Sequence, residues 1–107
     1  MTVILMWTWV VKQGKHEEHR LLMHRFQEFV KNNPKLFKEL KSMRFLTQTF
    51  GGISGAYVEL AEFESLADLA ACLARASKDE GYRKIDQEWM SLLDPATFTA
   101  SLFTAIT

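Results

Sequence analysis

Glu59 is the carboxylate in this chain best suited to moving a proton. It stands in the middle of Ala56-Tyr57-Val58-Glu59-Leu60-Ala61-Glu62-Phe63, with apolar residues on both sides. A carboxyl drawn into an apolar interior holds its proton more tightly, because burial penalises the charged form. Such a group suits general acid or base work near neutral pH. If a second strand runs from Met43 to Phe50 and residues 51–55 form the turn, Thr47 falls opposite Glu59 and Thr49 opposite Tyr57. One strand face then carries Phe45, Thr47, Thr49, Tyr57 and Glu59, and the other, facing the helices, carries Val58 and Leu60. On this reading Glu59 is a candidate acid or base and Tyr57 an assisting hydroxyl. Phe45, Thr47 and Thr49 are candidate ligand contacts. The bland alternative makes Glu59 a rim carboxylate, or one paired to a cation such as Arg44. Arg44 and Glu62 share the opposite face and are expected to form a surface ion pair.

Trp7 and Trp9 lie two apart and share one face of the first strand. They either wall a site for a flat organic ligand or fill a core or an interface. The three histidines, His16, His19 and His24, all lie within nine residues. On a helix His16 and His19 are neighbours, but His24 sits roughly 140° away from His19, so one helix cannot converge all of them on a metal. No carboxylate partner is identifiable, and solvated or rim histidines are expected. Cys72, the sole cysteine, sits in Ala70-Ala71-Cys72-Leu73-Ala74 and reads as a small buried helix residue. Tyr82 and Trp89 read as helix-face core. No P-loop, dinucleotide glycine motif, Ser-His-Asp order or paired CxxC is present.

The elements that must position these groups follow from periodicity. Residues 3–11 form a strand that is apolar on both faces: Val3, Leu5, Trp7, Trp9 and Val11 on one, Ile4, Met6, Thr8 and Val10 on the other. Leu22, Met23, Phe26, Phe29 and Val30 recur at helical spacing and predict a helix over residues 16–32. Asn32-Asn33-Pro34 stops it, and Pro34 can open a short second helix carrying Leu36, Phe37 and Leu40. The hairpin follows, with strands over 43–50 and 56–63. Ser65, with Asp68 three residues on, caps a helix whose stripe is Leu66, Leu69, Ala70 and Leu73. Lys78-Asp79-Glu80-Gly81 interrupts it. Tyr82, Ile85, Trp89 and Leu92 resume the stripe as far as Asp94-Pro95, and residues 97–103 form a last strand. The order β-α-β-β-α-β predicts one ferredoxin-like α+β domain over residues 1–107. Its four-stranded antiparallel sheet has the first and third strands in the middle and both long helices on one face. Helices cover only one side, so the apolar second side calls for a partner, most simply another copy of the chain.

Composition limits the function classes. Lys plus Arg equals Asp plus Glu, and no basic stripe is visible, which argues against nucleic acid. The longest apolar run is too short to span a bilayer as a helix, and the start of the chain lacks a secretory pattern. The expected location is therefore the cytoplasm.

Two segments carry a resemblance. Val10-Val11-Lys12-Gln13-Gly14-Lys15-His16-Glu17-Glu18 resembles a strand–turn–helix opening V-x-x-G-K-x-E-E. Glu62-Phe63-Glu64-Ser65-Leu66-Ala67-Asp68 resembles the strand end and helix cap of antibiotic-biosynthesis-monooxygenase-like and NIPSNAP-like proteins. With the element order, these make the chain similar to the dimeric α+β-barrel superfamily. The resemblance implies a homodimer in which two sheets face each other and enclose a barrel. Members include cofactor-free monooxygenases, haem-degrading enzymes, lactone isomerases and dehydratases, so fold does not transmit function. The haem-degrading members ligate iron through a histidine in the second half of the chain. None follows His24 here, and no cofactor or metal is expected. Three readings stay open. The first is an enzyme acting on a small apolar or aromatic molecule by oxygenation, isomerisation or dehydration, with Glu59 as acid or base. The second is a binding module using the same pocket. The third is a structural homo-oligomer whose barrel is filled by its own side chains.

Overall fold

A computed structural model describes residues 1–107. Its elements are β1 (Val3–Trp9), α1 (His16–Asn32), β2 (Leu40–Thr47), β3 (Tyr57–Phe63), α2 (Leu66–Ala76), α3 (Glu80–Leu92), a 3-10 turn (Pro95–Thr97) and β4 (Thr99–Thr104). The four strands form one antiparallel sheet in the order β2-β3-β1-β4, which puts β1 and β3 in the middle as the element order predicts. The fold is α+β and ferredoxin-like.

The helix ends follow local chemistry. Glu17 and Glu18 occupy the first turn of α1 and Lys31 the last, the arrangement that suits the helix dipole. Asn33 closes it: its side-chain amide donates to the Phe29 carbonyl at 2.7 Å, and Pro34 cannot continue the ladder. Ser65 caps α2 by accepting from the Asp68 N–H at 3.1 Å, and Asp79 caps α3 by accepting from the Tyr82 N–H at 2.9 Å. In the first turn of α3, Gly81 lets the helix begin hard against α1, since a Cβ there would lie 2.9 Å from the Phe29 ring.

The structure corrects three expectations about elements. Residues 34–39 are a run of turns rather than a helix. Arg75 pins this run by donating to both carboxylate oxygens of Glu39, at 2.8 and 2.6 Å, and to the Leu36 carbonyl at 3.0 Å. The first strand ends at Trp9, and Val11 is held only by an isolated bridge to Leu93. The hairpin register is shifted by two residues: Thr47 lies opposite Tyr57, and Phe45, not Thr47, lies opposite Glu59. The reason is a longer loop. It starts at Gln48, whose N–H donates to the Ala56 carbonyl at 2.8 Å, and Gly51 and Gly55 take positive φ within it.

A shift of two keeps each residue on its side of the sheet, but the side itself is opposite to the expectation. Val3 pairs with Phe63 and Leu5 with Ala61, and all four are buried under the helices. The same face carries Trp7 and Trp9 opposite Glu59 and Tyr57. Glu59 and Tyr57 therefore face the helix layer, and Val58 and Leu60 face away from it. The alternation of residues 56–63 does not decide this. What decides it is that small Ala61 and Phe63 complete the surface on which α2 packs.

The opposite sheet face carries Ile4, Met6, Val58, Leu60, Leu46 and Phe103. The last two are 37% and 48% exposed. No element of the chain covers this face. The expected ion pair between Arg44 and Glu62 is absent, because Lys41 reaches both Glu62 (3.9 Å) and Glu64 (3.0 Å) instead.

Candidate functional site

A cavity of about 130 Å³ lies between the sheet and the helices. Its floor is built from β1 and β3 and its roof from α1, α2 and α3. Trp7, Trp9 and Glu59 rise from the sheet; Phe26, Cys72, Tyr82, Ile85, Asp86 and Trp89 come down from the helices. Eighteen of the 20 lining residues are hydrophobic, and Glu59 and Asp86 are the two that are not, so the lining carries no cation.

Glu59 makes no ion pair and has no charged partner, and burial alone pushes its carboxyl up to about 8. The side chain keeps partial exposure because it opens on the cavity. Near neutral pH it is a carboxylic acid. It can donate a hydrogen bond to a neutral acceptor, and a minor ionised fraction can accept a proton. Asp86, on the exposed side of α3, is also raised by burial. The Tyr82 hydroxyl is pushed up to about 12, mainly by burial and further by the nearby Asp86 and Glu59 carboxyls. Tyr82 and Asp86 are four apart on α3 and so share a face. Burial also raises the Cys72 thiol, which leaves it protonated and inert.

The sequence-predicted site residues separate into two groups. Trp7, Trp9 and Glu59 meet at the cavity. Phe45 stands behind the wall, stacked on Trp89 with ring centres 5.6 Å apart. The geometry does not bring Tyr57 to the cavity. The two-residue register shift sets it at the end of β3, where its ring stacks on Trp9 at 6.3 Å and its hydroxyl lies 3.2 Å from His16 Nδ1. Thr47 and Thr49 are exposed, at the strand end and in the loop, and neither reaches the cavity.

His19 overturns the expectation of solvated histidines. It is fully buried, and its Nε2 accepts from the Trp9 indole N–H at 2.9 Å and from the Trp89 indole N–H at 3.2 Å. Burial, with a smaller contribution from His16, pushes the imidazole down to about 4. The signal was present in the sequence: His19, Leu22 and Phe26 fall at i, i+3 and i+7, and these are the buried residues of α1. Asp86 was similarly legible from its spacing to Tyr82. No group of three or more His, Cys, Asp or Glu side chains is arranged to hold a metal ion, and no helix is long and apolar enough to cross a membrane.

No family model matches the chain, and no curated protein matches it. Solved structures do. An uncharacterized NIPSNAP domain protein from Burkholderia xenovorans superposes with a TM-score of 0.76 at 14% identity, covering 98% of this chain and 95% of that one. SnoaB, a cofactor-independent oxygenase from Streptomyces nogalater, superposes at 0.69 with 18% identity, over 99% and 94%. A dimeric protein of unknown function and ferredoxin-like fold from Bacteroides fragilis superposes at 0.66 with 11% identity, over 97% and 96%. At these identities the likeness is one of fold. This chain has the ferredoxin-like α+β fold that NIPSNAP proteins and SnoaB also have.

Proposed function

We propose that the cavity binds a small, uncharged, ring-sized organic molecule and that Glu59 exchanges a proton with it. The observation that carries this reading is the carboxyl itself: unpaired, raised to about 8, and opening on an otherwise apolar cavity. Its volume of about 130 Å³ is close to the ~150 Å³ of an apolar cavity that takes up benzene. A single ring fits, or the ring end of a longer molecule. An apolar lining with no cation disfavours anions, because a desolvated charge would find no counter-charge there. Neutral Glu59 can donate to a carbonyl or hydroxyl oxygen of the ligand, and its carboxylate form can take a proton from carbon and return it to a neighbouring atom. Isomerisation needs nothing beyond this exchange. The same proton step serves dehydration or, with dioxygen as co-substrate, ring oxygenation. That SnoaB performs cofactor-independent oxygenation on the same fold supports this range of chemistry, although no residue is carried over from it.

The volume also supports a second reading. It is well below the ~300 Å³ at which ligand pockets ordinarily begin, which favours a binding module for one small ring over an enzyme with a large substrate. Under either reading we propose a homodimer closed by the uncovered sheet faces. Support comes from their apolar side chains and from the dimeric Bacteroides fragilis protein of the same fold.

The test is a titration of ¹⁵N-labelled protein with phenol and with benzoate, followed through the indole N–H signals. Phenol is expected to shift Trp7 and Trp9, and benzoate is not. Equal response to benzoate, or no response to either probe or to a panel of neutral single-ring ketones, contradicts the reading. Glu59→Leu separates binding from proton transfer: it should bind the ring and lose the capacity to exchange a proton with it.

A further inference from the structure

Two walls of the cavity, Trp9 and Trp89, share one hydrogen-bond acceptor that is not itself in the lining: Nε2 of His19. An imidazole nitrogen can accept only when it carries no proton, and then the other nitrogen carries it. The Nε2–H tautomer would set three N–H donors against one another. The imidazolium would do the same. Geometry therefore restricts His19 to the Nδ1–H tautomer. That N–H has no partner in the structure, although the residue is 0% exposed. Nε2 then offers its single in-plane lone pair to both indoles as a three-centre acceptor.

Aromatic contacts orient these rings. Trp9 meets Trp89 edge to face at 5.8 Å and 88°, Trp9 stacks on Tyr57, and Trp89 stacks on Phe45. Stacking sets the plane of a ring, but it does not by itself specify which edge carries the nitrogen. The shared acceptor removes this freedom by selecting the edge that carries nitrogen. Both N–H groups point at His19 and away from the cavity, so these two walls offer a ligand ring carbon and no donor.

We propose that His19 is a positioning residue that, as the Nδ1–H tautomer, holds the Trp9 and Trp89 indoles with their N–H edges turned out of the cavity. The consequence for ligand choice rests on the binding reading given above. With these two indole donors withdrawn, the polar groups near the ligand are Glu59, Asp86, the Tyr82 hydroxyl and the indole N–H of Trp7, which makes no hydrogen bond within the protein. A ligand oxygen is then steered to them.

The test has a ligand-free arm and a ligand arm. In the free protein near neutral pH, long-range ¹H–¹⁵N spectra should show His19 as the neutral Nδ1–H tautomer. The Trp9 and Trp89 indole protons should be shifted and slow to exchange relative to Trp7. An Nε2–H tautomer, an imidazolium, or exchange as fast as that of Trp7 overturns the proposal. His19→Gln keeps a carbonyl acceptor and should retain the slow indole exchange, whereas His19→Leu, similar in bulk but without an acceptor, should lose it. If the Leu variant does not fold, the tautomer and the Gln variant decide. With phenol as probe, His19→Leu should bind about tenfold more weakly while His19→Gln stays near the wild type. Unchanged indole exchange in His19→Leu overturns the proposal. Normal tautomer and exchange in a wild type that binds no neutral probe supports the clamp and instead refutes the binding function.

Discussion

Glu59→Gln should flatten the decline in stability that the wild type shows as pH rises. In the folded protein the carboxyl titrates near 8, against 4.5 for the ordinary group. Between those values the folded state keeps a proton that the unfolded chain has released. Raising the pH therefore favours unfolding, with the penalty growing from the lower value to the higher and constant above it. Each pH unit corresponds to about 1.4 kcal/mol, so the ceiling is about 5 kcal/mol. Water entering the cavity lowers the realised figure. Even half of it is a large share of the about 5–15 kcal/mol that holds a domain folded. Gln has nearly the same shape and cannot ionise. Its amide can add a constant offset, so the quantity to read is the change with pH. The assay is urea or thermal unfolding of both proteins from about pH 4 to about pH 9. The variant should gain on the wild type progressively, by about 10 °C or more in Tm across the range, at about 4–8 °C per kcal/mol. The His19 contribution is common to both proteins and cancels in the difference. Parallel curves would refute the reasoning. A variant that falls behind at high pH would show Glu59 to be an ionised, paired carboxylate.

Other perturbations test other parts of the account. His19, pushed from 6.5 down to about 4, makes a contribution that is complete above the upper value and lost as pH falls to the lower. The loss is about 3 kcal/mol, and acid unfolding of His19→Gln should lack that segment. Leu60→Lys places a charge in the uncovered sheet face and should turn the proposed homodimer into a monomer by light scattering with unchanged helix content; a persistent dimer, or a monomeric wild type, would contradict that interface. Asp79→Ala removes the cap of α3 and should cost about 1 kcal/mol in urea unfolding, with Asp79→Asn retaining most of it. Arg75→Leu releases Glu39 and the Leu36 carbonyl, and amide exchange in residues 34–40 should speed up while that of β1 does not.

Where periodicity was strong, the sequence was enough. α1 occupies residues 16–32 as its apolar spacing predicts, and the Lys78–Gly81 interruption separates α2 from α3. The β-α-β-β-α-β order predicts that the first and third strands lie in the middle of the sheet, and they do. Two things were not legible. The hairpin loop could not be sized from Gly51-Gly52-Ile53-Ser54-Gly55, because a longer loop uses the same glycines, and the register followed the loop. The side of the sheet taken by Glu59 was equally open: Ala56, Val58 and Leu60 form as good an apolar row as Tyr57, Ala61 and Phe63. Only tertiary contact with the helices chooses between them. That choice moved the candidate cavity from between two sheets to between sheet and helices, and brought Tyr82, Asp86 and Trp89 to it. The burial of His19 is hidden in the sequence for a related reason. A histidine at a core position of a helix is acceptable only when its nitrogens find partners, and those partners, Trp9 and Trp89, are 10 and 70 residues away.

The most direct measurement is a titration of the Glu59 side-chain carboxyl, followed by its ¹³C signal in glutamate-labelled protein and assigned by loss of the signal in Glu59→Gln. The account predicts a midpoint near 8 that moves when phenol occupies the cavity. A midpoint near the ordinary 4.5, insensitive to phenol, would show an ionised, solvated carboxylate and would contradict the proposed role in proton exchange.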